Sequence, residues 1–357
     1  MERVLFYPVD REALSIIKSF ECQEEREIAA VVSLKSWGFV GEEISIHGKN
    51  FSITDNFEEN LDTATTVCIT DSWNELDFSK YIMPQIRIAL KEQKEVICFR
   101  KVSEAEKTEL TGLGVMCIDY ERNSNLFEKS ERAKIISTPI VFVMGTTDYC
   151  NKFYIQVALK REFEEMGYKV SLVSSRKESV YFGSRPFPKE MLENNLSESQ
   201  KIIGFNNYIR EIEKIEEPEL IIIGIPGAIL NYYQGYSNDY GTLAFEVSEA
   251  INPDFTILSS IYDAYEMSYF QNIEKGLKGR LNIEIDLHSL SEYSLDFGSM
   301  SVEKKMVYLT LDNTVVDEKI FEINYSNLLN LNSRTGITST FERIINKLTT
   351  NSDEIIV

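Results

Sequence analysis

The chain has 357 residues, 43% hydrophobic and 11% aromatic, which suits two domains with separate cores and lies far from a disordered composition. A formal charge of -20 leaves no basic face for a nucleic-acid backbone or an anionic membrane, so neither is expected as a partner. No apolar run reaches the roughly 18 to 20 residues that span a bilayer, and Met1 to Tyr7 has no signal-peptide character, so a cytoplasmic location is expected.

The first part of the chain alternates short strands with helices. Arg3 to Tyr7 reads as a strand and Arg11 to Phe20 as a helix. Strand patterns follow at Glu27 to Leu34 and Thr65 to Thr70, then a helix at Tyr81 to Gln93 and a strand at Glu95 to Arg100. A helix over Ser103 to Leu113 opens on a capping box, Ser103 with Glu106, and Val115 to Tyr120 reads as a last strand. This alternation predicts a Rossmann-like parallel sheet with helices on both faces, over residues 1–134. The charged stretch Glu121 to Lys134 has no apolar period and marks the expected boundary.

A P-loop-like, doubly wound parallel sheet with a C-terminal extension is predicted for 135–357. Its strand Ile140 to Met144 runs into Gly145-Thr146-Thr147-Asp148-Tyr149-Cys150-Asn151-Lys152, and a helix follows over Tyr154 to Met166, stopped by Gly167. Further strands are expected at Lys169 to Val173, Glu219 to Gly224, Phe255 to Ser260, Leu281 to Asp286 and Met306 to Leu311. Helical stretches fall in Glu190 to Glu216 and Thr242 to Ile251. After Asn324 the tail is polar, with one amphipathic helix at Thr340 to Lys347. Of the cysteines (Cys22, Cys68, Cys98, Cys117 and Cys150), Cys68, Cys98 and Cys117 sit in strand-like runs and are expected to be buried, reduced thiols. Two histidines, His47 and His288, do not support a histidine-rich metal site, and no metal ligands are assigned.

A P-loop encircles phosphate oxygens with consecutive backbone amides at a helix N-terminus, adds a lysine charge, and holds Mg²⁺ on the next hydroxyl. Gly145 and Lys152 stand seven positions apart, as in such a loop. This spacing resembles dethiobiotin-synthetase-like P-loop proteins, whose pattern runs Gly-Thr-Asp-x-x-x-Gly-Lys-Thr. Gly145, Thr146 and Lys152 agree with it. Asp148 stands one place late, Asn151 replaces the second glycine and Phe153 replaces the Mg²⁺-binding hydroxyl. Asn tolerates a left-handed backbone, so the cradle can survive; Phe153 cannot ligate a metal.

The strand Leu220 to Gly224 leads into Gly224-Ile225-Pro226-Gly227 with no carboxylate at its end, which argues against ordinary Mg-ATP hydrolysis. The resemblance implies a bound nucleotide, ATP or another, held by Gly145, Thr146, Thr147, Asn151 and Lys152. Arg176, in the polar loop after the second strand, joins this set. Lys152 and Asp148 are the implied catalytic pair, with Asp148 or Asp263 left to recruit any Mg²⁺. The loop Asn231 to Gly241, dense in Tyr, Asn and Gly, suits recognition.

The two-domain layout also resembles P-loop proteins linked to N-acylation of D-amino acids. With its Gly-Thr-Thr-Asp turn, it is similar to a group encoded in peptide-maturation (bacteriocin-like) gene clusters of anaerobic Gram-positive bacteria. That likeness implies work on a ribosomally made peptide, with the precursor or a modifying enzyme as partner. Two readings stay open: an enzyme of group transfer or ligation, and a non-catalytic pseudo-P-loop module that docks a peptide or partner enzyme.

Overall fold

The computed structural model describes all residues except 23–24, 47–48, 73–75, 129–131, 231–239, 304–305 and 355–357. His47 and most of the Tyr/Asn-rich loop therefore lie outside the described residues. The chain forms two compact units, one of Met1–Asp119 with Val180–Phe182, the other of Tyr120–Ser179 with Gly183–Val357.

In the first unit, seven strands are described: β1 (Glu2–Tyr7), β2 (Arg26–Val32), β3 (Glu43–Ile46), β4 (Lys49–Thr54), β5 (Thr66–Ile69), β6 (Glu95–Cys98) and β7 (Met116–Cys117). They lie in the order β3-β4-β2-β1-β5-β6-β7, all parallel except the β3–β4 pair. With the antiparallel edge strand β3 set aside, this is the 3-2-1-4-5-6 order of a Rossmann sheet. The capping box at Ser103 forms as predicted, the hydroxyl accepting from the Glu106 amide and the Glu106 carboxylate accepting from the Ser103 amide. The β3–β4 hairpin was not predicted, because its polar residues (Glu43, Lys49, Asn50) hide any alternation.

Val180–Phe182 packs in this unit. The Tyr181 ring lies under the Arg26 guanidinium at 3.9 Å and near Phe20 and Phe99, and its hydroxyl donates to Glu2. Burial first, and the neighbouring Cys68 and Glu2 next, push the Tyr181 hydroxyl well above its ordinary pKa. Cys68 and Cys98 are buried, while Cys117 on the edge strand is only half-buried.

In the second unit, the described strands are β8 (Ile140–Gly145), β9 (Val170–Ser174), β10 (Arg185–Pro186), β11 (Leu220–Gly224), β12 (Phe255–Tyr262), β13 (Leu287–Leu295), β14 (Tyr308–Thr310) and β15 (Leu328–Leu329). The order is β10-β9-β11-β8-β12-β13-β14, with β15 beside β13; only β14 runs antiparallel. Strands β8, β9 and β11 are buried along their length, and β8 and β11 accordingly read as unbroken apolar runs. The unit boundary falls at Asp119/Tyr120, ahead of the expected 134. The reason is Phe127: on the short Ser124–Glu128 helix it is buried in the second core, against Gly204 of the Glu198–Glu216 helix.

Leu281 to Asp286 is not a strand. Leu281 ends the Met267–Leu281 helix, Ile283 and Ile285 are buried in an irregular lead-in, and the strand starts at Leu287. Buried polar residues on β13 (His288, Ser289, Ser291, Glu292) masked its apolar signal. After Asn324 one helix is described, as expected, but it runs longer, over Arg334–Glu354, and packs on the Lys152–Glu165 helix through Phe341 and Phe163, whose ring centroids lie 4.7 Å apart. No described helix is long and apolar enough to cross a membrane.

His288 ties β13 to this C-terminal layer. Its Nε2 lies 2.9 Å from Glu274 Oε1, which also accepts from the Tyr325 hydroxyl at 2.7 Å. Burial holds the imidazole below its ordinary 6.5, against the pull of Glu274. Protonation therefore favours the unfolded chain, so this contribution is full above pH 6.5 and is lost as pH falls through the folded value. The wild type is expected to lose denaturant resistance between about pH 7 and pH 5, and His288→Gln to show a flatter profile. Identical slopes for the two proteins would show that the imidazole is not the group responsible.

Candidate functional site

The loop from Gly145 to Lys152 leaves the C-terminal end of β8, the central strand, with β11 and β12 on either side. Chain order reverses there, which is where open α/β sheets place ligands. Its amide at Thr146 donates to Ser259 O on β12, and Gly145 O accepts from the Ile229 amide, so the start of the turn is pinned. The hydroxyl of Ser259 also holds Cys150 O.

Gly145 is required by crowding. A Cβ there would sit 2.2 Å from Cys150 Sγ and 2.8 Å from Lys152 Cδ. Asn151 has φ 65, the left-handed conformation that the second glycine of a P-loop would supply, and it stands at the N-cap of the Lys152–Glu165 helix. Its side chain does not cap the helix. Instead Nδ2 donates to Asn332 Oδ1 at 2.6 Å, and Asn332 in turn donates to Leu290 O.

The amides of Thr147, Asp148, Cys150, Asn151 and Lys152 donate to no acceptor among the described residues. Four of those five residues are buried; Asp148 is exposed. Amides without partners at an uncapped helix N-terminus form a seat suited to an anion. The buried Thr146 Oγ1 and Asn151 Oδ1 also lack partners among the described residues.

Lys152 is 5% exposed and pairs with no carboxylate among the described residues. Its ammonium donates to Thr147 O at 2.7 Å, Gly227 O at 2.9 Å and Asp148 O at 3.2 Å, so all three of its protons are engaged. The bond to Gly227 ties the loop to the Gly-Ile-Pro-Gly turn after β11. Cys150 Sγ donates back to Thr147 O at 3.2 Å. The interior of the turn is thus lined by the protein's own thiol and ammonium, and an incoming phosphate would draw Lys152 off its carbonyls.

The predicted residues are brought together unequally. Gly145, Thr146, Thr147, Asn151 and Lys152 form one turn. The Asp148 side chain is exposed, and its charge, after burial, helps push the Tyr308 hydroxyl above its ordinary range. Arg176 lies over the Phe153 ring at 5.9 Å and pairs with Glu178 at 3.3 Å. Burial alone would push the Glu178 carboxyl up; the charge and hydrogen bond of Arg176, a backbone hydrogen bond and the Lys177 charge more than offset it and leave it below the usual range. Asp263 uses its carboxylate on the Ala264 amide at 2.7 Å. Among the described residues, no group of three or more His, Cys, Asp or Glu side chains is placed to hold a metal ion.

Sequence reasoning missed Gln156. It is fully buried one turn into the helix, donates to Ser175 Oγ at 3.0 Å, and accepts from Ser174 Oγ and the Ser175 amide. A lone amide inside the apolar run Phe153 to Leu159 was the available signal. Asn332 lies in the polar tail and gave none.

These features define a two-unit α/β protein with a P-loop-type turn in its second unit. No family model matches the chain, and no curated protein matches its sequence. Among solved structures, a DUF1611 family protein from Anabaena variabilis is similar with a TM-score of 0.60 at 11% identity, over 97% of this chain and 100% of that one. At that identity the likeness establishes fold alone. The chloroplast FtsY of Physcomitrella patens (TM-score 0.28, 12% identity, 47% of this chain and 56% of that one) is a much weaker match. So is the signal recognition particle receptor FtsY of Elizabethkingia anophelis (0.26, 16%, 47% and 54%).

Proposed function

We propose that the Gly145–Lys152 turn binds the phosphate of a nucleotide or other phosphorylated ligand, and does so without the metal chemistry of a nucleotide hydrolase. The observation that carries this reading is the set of amides without acceptors among the described residues at an uncapped helix N-terminus. The absence of a hydroxyl at Phe153 and of an acid after Gly224 supports binding over hydrolysis. Calorimetric titration with ATP, ADP and GTP, with and without Mg²⁺, tests it. Binding is expected to be insensitive to Mg²⁺, and Lys152→Ala is expected to weaken it about tenfold to a hundredfold, the worth of a charged hydrogen bond. No heat with any of the three at millimolar concentration would end this reading.

A role in maturing a ribosomally made peptide, by group transfer, ligation or docking, is proposed on the resemblance of the sequence. Its support is the likeness of the turn and the two-domain layout, together with an acidic surface suited to a basic leader. Pull-down of a precursor peptide encoded beside this protein checks it, and failure to capture one at low salt counts against it.

A further inference from the structure

The first unit carries a site of its own. A cavity of about 260 Å³ opens where the C-terminal ends of β1, β2 and β4 meet the segment after β5. Tyr7 closes β1, Ser33 and Leu34 follow β2, and Asp55 and Phe57 follow β4. Lys80, Tyr81 and Gln85 come from the turn Phe78–Ile82 and the helix Met83–Lys91 after β5. Strand order reverses between β1 and β5, so this is the switch-point crevice of a Rossmann sheet.

The chemistry of the crevice is not that of a dinucleotide site. Residues 7–13 contain no glycine, and the seat a pyrophosphate would take is filled: Asp10 Oδ1 accepts from the Ala13 amide at 3.2 Å at the start of the Arg11–Lys18 helix. No acid follows β2 to hold a ribose; Ser33 stands there and donates to Val9 O at 2.6 Å. The Tyr7 hydroxyl is likewise committed, donating to Tyr81 O at 2.9 Å.

What remains open is specific. Lys35 and Lys80 stand at the rim against one carboxylate, Asp55, which is 3.9 Å from Lys35. Among the described residues the lining carries one net positive charge, enough for a monoanion. Tyr7, Leu34, Phe57 and Tyr81 give an apolar body. Gln85 Oε1 has no partner among the described residues and calls for a donor. At about 30 Å³ per water the space equals about nine waters, a molecule of about ten heavy atoms.

We propose that this crevice binds a small organic monocarboxylate bearing a hydroxyl or amine, its carboxylate held by Lys35 and Lys80 and its donor by Gln85. Its lining residues all belong to the first unit.

Saturation-transfer NMR on the full chain with salicylate, mandelate, phenyllactate and anthranilate tests it, with the matching neutral amides as controls. At least one carboxylate is expected to bind at about 1 mM or tighter and its amide at least tenfold more weakly. The double variant Lys35→Ala, Lys80→Ala is expected to lose at least tenfold in affinity while unfolding thermally as the wild type does, since both side chains are exposed. Gln85→Leu is expected to lose severalfold. Any of three results overturns the proposal: no member of the panel binds at about 5 mM, amides bind as well as acids, or the double variant binds unchanged.

Discussion

Gly224→Ala is expected to destabilise the second unit by about 3 kcal/mol, the sum of overpacking and strained buried hydrogen bonds. A Cβ on this residue would lie 2.1 Å from the Gln156 amide carbon, and both terminal atoms of that amide would be within 2.2 Å. A flexible side chain would swing away. Gln156 cannot, because it is fully buried and its amide is held from Ser174 and Ser175 by three hydrogen bonds of 3.0 to 3.2 Å. Either those bonds break or the start of the Lys152–Glu165 helix moves, and the phosphate turn moves with it. Urea unfolding measures the loss. Adding Gln156→Ala should make the double variant less unstable than the two single effects summed, by at least about 1 kcal/mol. Gly276→Ala, in open space on the Met267–Leu281 helix, is the control and should be neutral or stabilising by up to about 1 kcal/mol. A Gly224→Ala protein as stable as that control would refute the account of the packing.

Lys152→Ala should also cost stability in the absence of any ligand. Two effects compete. An ammonium in a buried site without a counter-ion carries a desolvation penalty of several kcal/mol, which its removal relieves. Against this, Thr147 O, Asp148 O and Gly227 O lose charge-assisted hydrogen bonds worth about 1.5 to 3 kcal/mol each, and a cavity opens beside Gly145. Three bonds against one desolvated charge leave a net loss of about 2 kcal/mol in unfolding free energy. Lys152→Met, which keeps much of the volume, should recover part of the cavity cost and none of the hydrogen bonding. If Lys152→Ala is more stable than the wild type, desolvation outweighs the three bonds, and the lysine is kept for a ligand alone.

The sequence made the sheets easier to see than the sites. Runs such as Leu220 to Ile223 and Ile140 to Met144 are buried on both faces, so continuous apolarity revealed them directly. β13 failed by the same criterion, since its buried His288, Ser289 and Ser291 read as polar surface. Asn151 was legible because positive φ has a residue preference, and the backbone does adopt it. What Lys152 touches was not legible. Its acceptors are main-chain carbonyls, one of them on a turn 75 residues away, and carbonyls carry no residue identity. The crevice in the first unit escaped for a related reason: Tyr7, Asp55 and Gln85 are distant in sequence and become neighbours only through strand order.

Tyr181 and Phe182 give the molecule a property that neither sheet has alone. Because the polypeptide returns to the first unit after Ser179, neither unit is one uninterrupted length of chain. Residues 1–119 produced alone would lack the aromatic pair, leaving Arg26 without its ring and Phe20 and Phe99 facing a hole. In evolutionary terms the halves cannot be traded by a single crossover at the obvious linker.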